Sequence, residues 1–220
     1  MKSVKGTETE KNLLKAFAGE SQARTRYTYF ASTAKKEGYE QISAIFLETA
    51  ENEKEHAKRF FSFLEGGMIE IEAEYPAGVL GKNTLENLKA AADGENEEYT
   101  KLYPHFADVA QKEGFSEIAA LFRVISKVEA EHEKRYRKLA ANIENNEVFK
   151  KDKPVRWKCR NCGYVQEGPE APESCPSCSH PKAYFEIKEE NYWFKDIFDI
   201  FEIMRWGIFP TFFYCIFNKS

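Results

Sequence analysis

Two copies of a Glu-x-x-His motif carry the most chemical information in this sequence. Glu53 and His56 form the first copy, and Glu129 and His132 form the second, 76 positions later. In each copy the two side chains are one helical turn apart and continue the stripe of apolar residues that a helix would bury. A buried carboxylate without a partner is costly. Because two helices repeat the arrangement, a shared cation is the simplest compensation, and we predict a metal site.

The internal repeat extends beyond the motif and predicts four helices. Lys36-Glu37-Gly38 recurs as Lys112-Glu113-Gly114 at the same offset, and Gly19-Glu20 recurs as Gly94-Glu95 at an offset of 75. The turn residues and capping patterns place the boundaries of the helices. The predicted helices run from the capping box Thr7-x-x-Glu10 to about Lys36, from Gly38 to about Glu65, from Asn83 to about Glu113, and from there to about Asn145.

The change of offset indicates one residue inserted between Glu95 and Phe106. A π-bulge would absorb such a residue without ending the helix. A kink at Pro104 is the competing explanation, and the sequence alone does not separate the two.

The long crossover at 66–81 between two helix pairs predicts a mainly α, ferritin-like four-helix bundle. Ferritin-like di-iron proteins are described in general by one Glu from each of two helices and Glu-x-x-His from each of the other two. The alternative is that these six side chains lie on the surface, which requires all of them to be misplaced consistently through the repeat. The predicted metal ligands are Glu20, Glu53, His56, Glu95, Glu129 and His132.

Glu98 breaks the symmetry of the repeat. It corresponds to Ala23, so only the second half has a carboxylate at this position. Glu95 and Glu98 are one turn apart and can face the same site. We predict that Glu98 is a seventh ligand, and the alternative is a solvated residue in a charged run.

Four of the five cysteines form two Cys-x2-Cys pairs within 20 residues, after a hinge at 150–154. Without a secretory segment such clustering indicates metal ligation and not disulfides. Four thiolates arranged as a tetrahedron accept zinc or iron, and a structural zinc ribbon is the alternative to an iron centre. The predicted thiolate ligands are Cys159, Cys162, Cys175 and Cys178.

Between Thr7 and Trp193 the chain contains six longer motifs, which are Gly19-Glu20-Ser21-Gln22, Glu53-x-x-His56, Gly94-Glu95-x-x-Glu98-Tyr99, Glu129-x-x-His132-Glu133-Lys134-Arg135, Cys159-x2-Cys162-Gly163-Tyr164 and Cys175-Pro176-x-Cys178. In these motifs the sequence resembles the rubrerythrin family. The resemblance implies a non-haem di-iron bundle, two irons per chain, followed by a rubredoxin-like β domain with one iron. It also implies reduction of hydrogen peroxide to water with electrons from NAD(P)H, delivered through a redox protein such as rubredoxin or through a reductase. A homodimer is implied, in which the cysteine centre of one chain serves the di-iron site of the other.

The resemblance also implies a role for each ligand. Bridging ligands are Glu53 and Glu129, and terminal ligands are Glu20, Glu95, Glu98 and His132. His56 replaces Glu98 on one iron when the site is reduced, and Tyr27 and Tyr103 match tyrosines near the site. Five carboxylates bring about five negative charges against four positive charges for two ferrous ions and six for two ferric ions, so the swap can suit each state. Ser179 departs from the glycine common after the second cysteine pair, which could alter that turn.

The remaining sequence bounds the domains and partners. We predict the bundle at 1–150, the rubredoxin-like domain at 151–193 and an extension of unknown role at 194–220. The net charge of -4 gives no reason to expect a nucleic-acid partner. The polar N-terminus predicts a cytoplasmic protein. The aromatic extension is too short for a membrane span, and an extension without a selected role is favoured over a membrane anchor or a partner-binding segment.

Two other functions compete with the peroxidase. One is ferroxidase activity with iron storage and detoxification, against which the attached cysteine module argues. The other is a non-enzymatic zinc-ribbon interaction protein, against which the buried Glu and His residues argue. The spacing alone does not distinguish two irons in the bundle from two manganese ions or from iron with zinc.

Overall fold

A computed structural model describes residues 2–78 and 81–192. The chain divides into two compact units, 1–187 and 188–220, and the features below belong to the first. The extension predicted at 194–220 lies outside the described residues, so its role and the bounds of the three predicted segments stay predictions. The helices are α1 (Glu8–Lys36), α2 (Glu40–Phe61), α3 (Thr84–Glu97), a π-helix (Glu98–Leu102), α4 (Tyr103–Lys112) and α5 (Ser116–Glu144).

The predicted caps start two of the helical runs, α1 and the run that begins with α3. The Thr7 side chain accepts a hydrogen bond from the Glu10 N–H at 3.1 Å, and the Asn83 side chain accepts one from the Glu86 N–H at 2.9 Å. The carboxylates of Glu10 and Glu86 each reach back to the N–H that precedes the cap residue. The unpaired N–H groups of both helix starts are therefore partly satisfied.

The second helix ends earlier than predicted, at Phe61 and not near Glu65. The chain turns after Ser62, and the Glu65 carboxylate accepts hydrogen bonds from the Val4 N–H at 2.8 Å and the Ser3 hydroxyl at 2.9 Å. This tertiary contact holds the segment after α2 against the N-terminus, and it competes with another helical turn.

The repeated Lys-Glu-Gly triplets tie the two halves together. Both glycines adopt a positive φ, 82° and 85°, which ends α1 and α4 at the lowest steric cost. The Glu37 carboxylate accepts from the Thr84 N–H at 2.9 Å, at the start of α3. The Glu113 carboxylate accepts from the Thr9 N–H at 2.9 Å and the Thr9 hydroxyl at 2.6 Å, at the start of α1. Each carboxylate thus caps the first helix of the opposite half.

The inserted residue is accommodated by a π-helix. The helical run from Thr84 to Lys112 continues through Glu98–Leu102 as one π segment, and Pro104 lies in the first turn of α4. Proline is tolerated there because no helical N–H is needed at that position. The π-bulge interpretation is confirmed, and the predicted ligand Glu98 is its first residue.

The helices enclose two apolar clusters with a polar layer between them. In the bundle α1 packs on α2, and α3 and α4 pack on α5. One cluster contains Phe30 and Phe46, and the other contains Phe60 and Phe122, all of them at most 1% exposed. This architecture confirms the predicted mainly α, ferritin-like fold. None of the helices in the described ranges is long and apolar enough to cross a membrane.

A small antiparallel sheet follows the bundle. Its strands are β1 (Lys150–Cys159), β2 (Val165–Glu170) and β3 (Phe185–Ile187), in the order β2-β1-β3. Trp157 is fully buried and donates its indole N–H to the Gly168 carbonyl at 3.0 Å. This part of the chain packs on the α1–α2 turn, where Tyr39 stacks on Phe149 at 6.2 Å between ring centroids.

Candidate metal centres

The polar layer of the bundle brings six of the seven predicted bundle ligands into two overlapping groups. In each group one ligand atom from every residue lies within 4.8 Å of the others. The two groups share Glu53 and Glu129, so each of these carboxylates can serve two metal ions. The first group is Glu20, Glu53, His56 and Glu129, and the second is Glu53, Glu95, Glu129 and His132.

Each shared carboxylate directs one of its oxygens to the His56 imidazole and the other to the His132 imidazole. The Glu53 Oε2 atom lies 2.9 Å from the His56 Nδ1 atom, and its Oε1 atom lies 3.2 Å from the His132 Nδ1 atom. The Glu129 Oε1 atom lies 3.0 Å from His56 Nδ1, and its Oε2 atom lies 2.8 Å from His132 Nδ1. Two carboxylates whose oxygens are divided in this way between two nitrogen donors have the arrangement of bridging ligands.

The two outer carboxylates are held by tyrosines from the opposite half of the bundle. The Tyr103 hydroxyl donates to the Glu20 Oε1 atom at 2.5 Å, and the Tyr27 hydroxyl donates to the Glu95 Oε1 atom at 2.5 Å. All four side chains are at most 3% exposed. Each hydrogen bond occupies one carboxylate oxygen. The other oxygen of Glu95, Oε2, lies 3.7 Å from His132 Nδ1, whereas in Glu20 the Oε1 atom that accepts from Tyr103 also lies 3.8 Å from His56 Nδ1.

Several buried polar atoms of the cluster make no well-formed hydrogen bond, although its carboxylate oxygens and imidazole nitrogens lie 2.8–3.2 Å apart. Burial raises the pKa of Glu20 well above its usual value, and so does the charge of Glu53. The same two causes raise the pKa of Glu95 to about 8. Burial disfavours the charged form of His56 as well, but the adjacent carboxylates of Glu129 and Glu53 raise its pKa to about 9. Among the described residues the unpartnered buried atoms include Glu20 Oε2, Glu53 Oε1, Glu95 Oε2, Glu129 Oε1 and Oε2, and His132 Nδ1.

These properties fit a pair of metal cations at the centre of the bundle. The carboxylates repel one another and point unpartnered oxygens at a common space, which cations would neutralise. Carboxylate and imidazole donors suit iron and manganese. The donor set is therefore the chemistry expected of a di-iron site.

The ligands differ in exposure, and the difference separates two of them from the rest. Glu98 is partly exposed, and the His56 side chain is 13% exposed. The other five predicted ligands are buried. Glu98 also lies outside both four-residue groups. The two residues that the resemblance implies to alternate on one iron are thus the two that border solvent.

The four cysteines form a second centre. The Cys159 and Cys178 Sγ atoms are 3.8 Å apart, and the Cys162 and Cys175 Sγ atoms are 3.6 Å apart. A disulfide would bring the sulfurs to about 2.05 Å. A metal held tetrahedrally by thiolates at about 2.3 Å separates the sulfurs by about 3.8 Å. The observed separations fit one tetrahedral metal ion.

Ser179 preserves the turn that glycine makes in the first cysteine pair. Its φ is 58°, close to the 80° of Gly163, and its N–H donates to the Cys175 carbonyl at 2.8 Å. The Gly163 N–H makes the equivalent bond to the Cys159 carbonyl at 2.9 Å. The backbone N–H of His180 lowers the pKa of Cys178 to about 6. The departure at Ser179 therefore leaves the hydrogen bonds of the second turn in place.

Two features of the site had little or no signal in the sequence. Tyr27 and Tyr103 were placed near the site only by the resemblance, because periodicity shows that they are buried but not what they contact. Tyr75, in the crossover between α2 and α3, lies beside Gly19 and had no signal, since the crossover has no regular pattern.

Comparisons with known proteins agree with this geometry. The rubrerythrin family profile matches residues 11–140, and the profile of the rubrerythrin rubredoxin-like domain matches residues 157–186. A rubrerythrin from Porphyromonas gingivalis is 65% identical over 191 residues, which cover 87% of this chain and 95% of that protein. A rubrerythrin from Clostridium perfringens is 63% identical over 196 residues, which cover 87% and 100%.

A solved structure of nigerythrin in a partially reduced state is also similar. It has a TM-score of 0.55 and 32% sequence identity, and the match covers 84% of this chain and 92% of that one. The buried Glu and His cluster is the rubrerythrin di-iron site, and the four cysteines form the rubredoxin-like iron site. The chain therefore belongs to the rubrerythrin family of oxidoreductases.

Proposed function

We propose that this protein reduces hydrogen peroxide to water, with electrons that come from NAD(P)H through a partner such as rubredoxin or a reductase. The observation that carries the proposal is the pair of shared carboxylates, Glu53 and Glu129, each of which faces both imidazoles. Two metals held side by side can deliver two electrons together, which is what cleavage of the peroxide O–O bond requires. The cytoplasm is the proposed location, since peroxide and NAD(P)H are both available there.

We assign the bundle ligands roles that follow their positions. Glu53 and Glu129 would bridge the two irons, and three further residues, Glu20, Glu95 and His132, would be fixed terminal ligands. Hydrogen bonds from buried tyrosines hold Glu20 and Glu95 in place. A rigid set of this kind keeps the metals positioned throughout the cycle.

The remaining two ligands, Glu98 and His56, are proposed to alternate on one iron. Both border solvent, so neither has to move through a packed core. His56 belongs to the first four-residue group and Glu98 does not, which is the arrangement expected of the reduced site. A neutral imidazole suits the ferrous state, and the additional carboxylate suits the ferric state.

The cysteine centre is proposed to supply electrons. Four thiolates fill a tetrahedral site, so peroxide has no open position there. The packing of this domain also favours a dimer. Ala183 faces Gly38 at the α1–α2 turn, whereas His56 lies 16 residues beyond Glu40, about 24 Å along the helix. Because electron transfer slows steeply with distance, we propose that the cysteine centre of a second chain serves each di-iron site in a homodimer.

The division of labour is tested with two variants. In a Cys159→Ser/Cys162→Ser variant, steady-state peroxide reduction driven by NAD(P)H and a reductase should collapse. Chemically pre-reduced protein of this variant, mixed with peroxide, should still oxidise its di-iron site in one turnover at close to the normal rate. Glu53→Ala should give the reverse, a reducible cysteine centre without a rapid reaction with peroxide.

The same measurements separate the competing functions. Loss of the single-turnover reaction in the cysteine variant, or full activity in the Glu53 variant, would contradict the assigned roles. Metal analysis should find three irons per chain and a red oxidised protein. If ferrous iron and oxygen instead load many more irons per chain, the protein is a ferroxidase that stores iron.

A further inference from the structure

Tyr75 lies against α1 beside the di-iron site and is anchored there from two sides. Its hydroxyl donates to the Lys15 carbonyl at 2.8 Å. The next residue, Pro76, accepts a hydrogen bond from the Gln22 side-chain amide at 2.8 Å. Lys15 and Gln22 lie one turn on either side of Gly19 on the same helix. The two bonds therefore hold the Tyr75 ring over Gly19.

Gly19 provides the space in which Tyr75 and Glu98 approach each other. A Cβ atom built on Gly19 would lie 3.6 Å from the Tyr75 Cε1 atom and 3.9 Å from the Glu98 Oε1 atom. Gly94, the counterpart of Gly19 in the repeat, has nothing within 4 Å of its Cβ position among the described residues. Of these two glycines, the one with side chains at van der Waals contact distance thus lies in the half of the repeat that the crossover covers.

At this corner one of the two partly exposed ligands, Glu98, borders solvent. Glu98 is partly exposed, whereas Glu20, next to Gly19, is fully buried. Tyr75 itself is 37% exposed, so its ring has one side towards solvent and its edge towards Gly19. A molecule that approaches the metals past Glu98 meets the edge of this ring.

We propose that Tyr75 is a specificity-determining residue that limits the size of the oxidant reaching Glu98. The inference rests on the proposed peroxidase function. Hydrogen peroxide has two heavy atoms and passes the ring edge. An organic hydroperoxide with a branched alkyl group requires the space that the ring occupies. Steric discrimination of about tenfold per excluded carbon is typical of enzyme pockets.

The test compares kcat/KM for hydrogen peroxide and for tert-butyl hydroperoxide in wild type and in Tyr75→Ala. Removal of the ring should raise the kcat/KM for tert-butyl hydroperoxide, relative to the kcat/KM for hydrogen peroxide, about tenfold or more. Met68→Ala is the matched control, since Met68 belongs to the same crossover and is fully exposed. An unchanged ratio in Tyr75→Ala, or an equal rise in Met68→Ala, would overturn the proposal.

A second pair of variants uses the internal repeat. Gly19→Ala places a methyl group in contact with both Tyr75 and Glu98, and an alanine in a helix interior favours folding. In this variant the kcat/KM for tert-butyl hydroperoxide, relative to the kcat/KM for hydrogen peroxide, should fall several-fold below the wild-type value. Gly94→Ala makes the same change in open space and should leave the ratio unaltered. If the two alanine variants give the same ratio, Gly19 does not contribute to the limit on oxidant size.

A readout without turnover separates this inference from the proposed function. Ferrozine, a bulky anionic chelator, should extract ferrous iron from the bundle of reduced Tyr75→Ala faster than from wild type. Iron in the cysteine centre of the same molecules serves as the internal reference and should leave at an unchanged rate. Failure of the wild-type protein to reduce any peroxide would refute the proposed function. Equal rates of iron extraction from wild type and Tyr75→Ala would instead refute the size limit at Tyr75.

Discussion

Replacement of Tyr27 or Tyr103 by phenylalanine should weaken metal binding on one side of the cluster only. Tyr27→Phe removes the donor to Glu95, and Tyr103→Phe removes the donor to Glu20. The phenyl ring keeps the packing of the tyrosine, so the loss is confined to one hydrogen bond. Because Tyr27 and Glu95 are both at most 3% exposed, water cannot easily replace the lost donor.

The magnitude follows from the charge and burial of the acceptor. A hydrogen bond to a charged group contributes about 1.5–3 kcal/mol. At about 1.4 kcal/mol per factor of ten, this predicts a loss of metal affinity of about tenfold to hundredfold. Loss of the partner of a metal ligand usually has the same effect. In each single variant the dissociation constant of the metal ion on the other side of the cluster should change little, since the tyrosine on that side is intact.

An anaerobic titration with ferrous iron and a competing chelator measures both dissociation constants. Tyr27→Phe and Tyr103→Phe should each raise one of them, and the double variant should raise both. Tyr29→Phe is the matched control, because Tyr29 lies on the same helix as Tyr27 and is 52% exposed. Unchanged constants in both single variants, or an equal loss in Tyr29→Phe, would refute the reasoning.

Three further predictions concern the exchange of ligands, the helix caps and the cysteine turn. Glu98→Ala should destabilise the ferric site and raise its reduction potential, whereas His56→Ala should lower it; redox titration decides, and shifts of the same sign would exclude the exchange. Hydrogen bonds from Thr9 lower the pKa of Glu113 although its burial opposes this. Glu113→Gln should therefore cost about 1 kcal/mol of unfolding free energy at neutral pH. The difference from wild type should vanish as the pH falls below 4.5 and through the folded pKa, because the wild-type carboxylate then becomes protonated. Denaturation at several pH values measures this, and Glu72→Gln controls for the lost charge. Ser179→Gly should stabilise the cysteine domain by about 1 kcal/mol because the left-handed backbone no longer carries a side chain. The denaturant midpoint for loss of its visible colour tests this, and an unchanged or lower midpoint would contradict it.

The sequence by itself determined which residues lie on the face of each helix that is turned towards the core of the bundle. A helix repeats every 3.6 residues, so Glu53, His56, Glu129 and His132 could be placed on buried faces without any knowledge of their neighbours. The change of offset in the repeat located one inserted residue between Glu95 and Phe106, and the structure decided that a π-helix, and not a kink at Pro104, absorbs it. The cysteine pairs also needed only local spacing to predict a tetrahedral site.

Only the tertiary structure decided which groups meet across helices. The periodicity of α1 does not reveal that Tyr27 reaches Glu95, nor does the Lys-Glu-Gly triplet reveal that Glu113 caps the start of α1. Such contacts depend on how the helices pack and on side-chain directions, and neither is encoded in a local pattern. Tyr75 lies in a crossover without periodicity, and its position over Gly19 depends on two hydrogen bonds to α1. The sequence thus determined the helix faces that carry the ligands. The packing of the chain decided which side chains hold the ligands in place and which residues lie beside the approach to them.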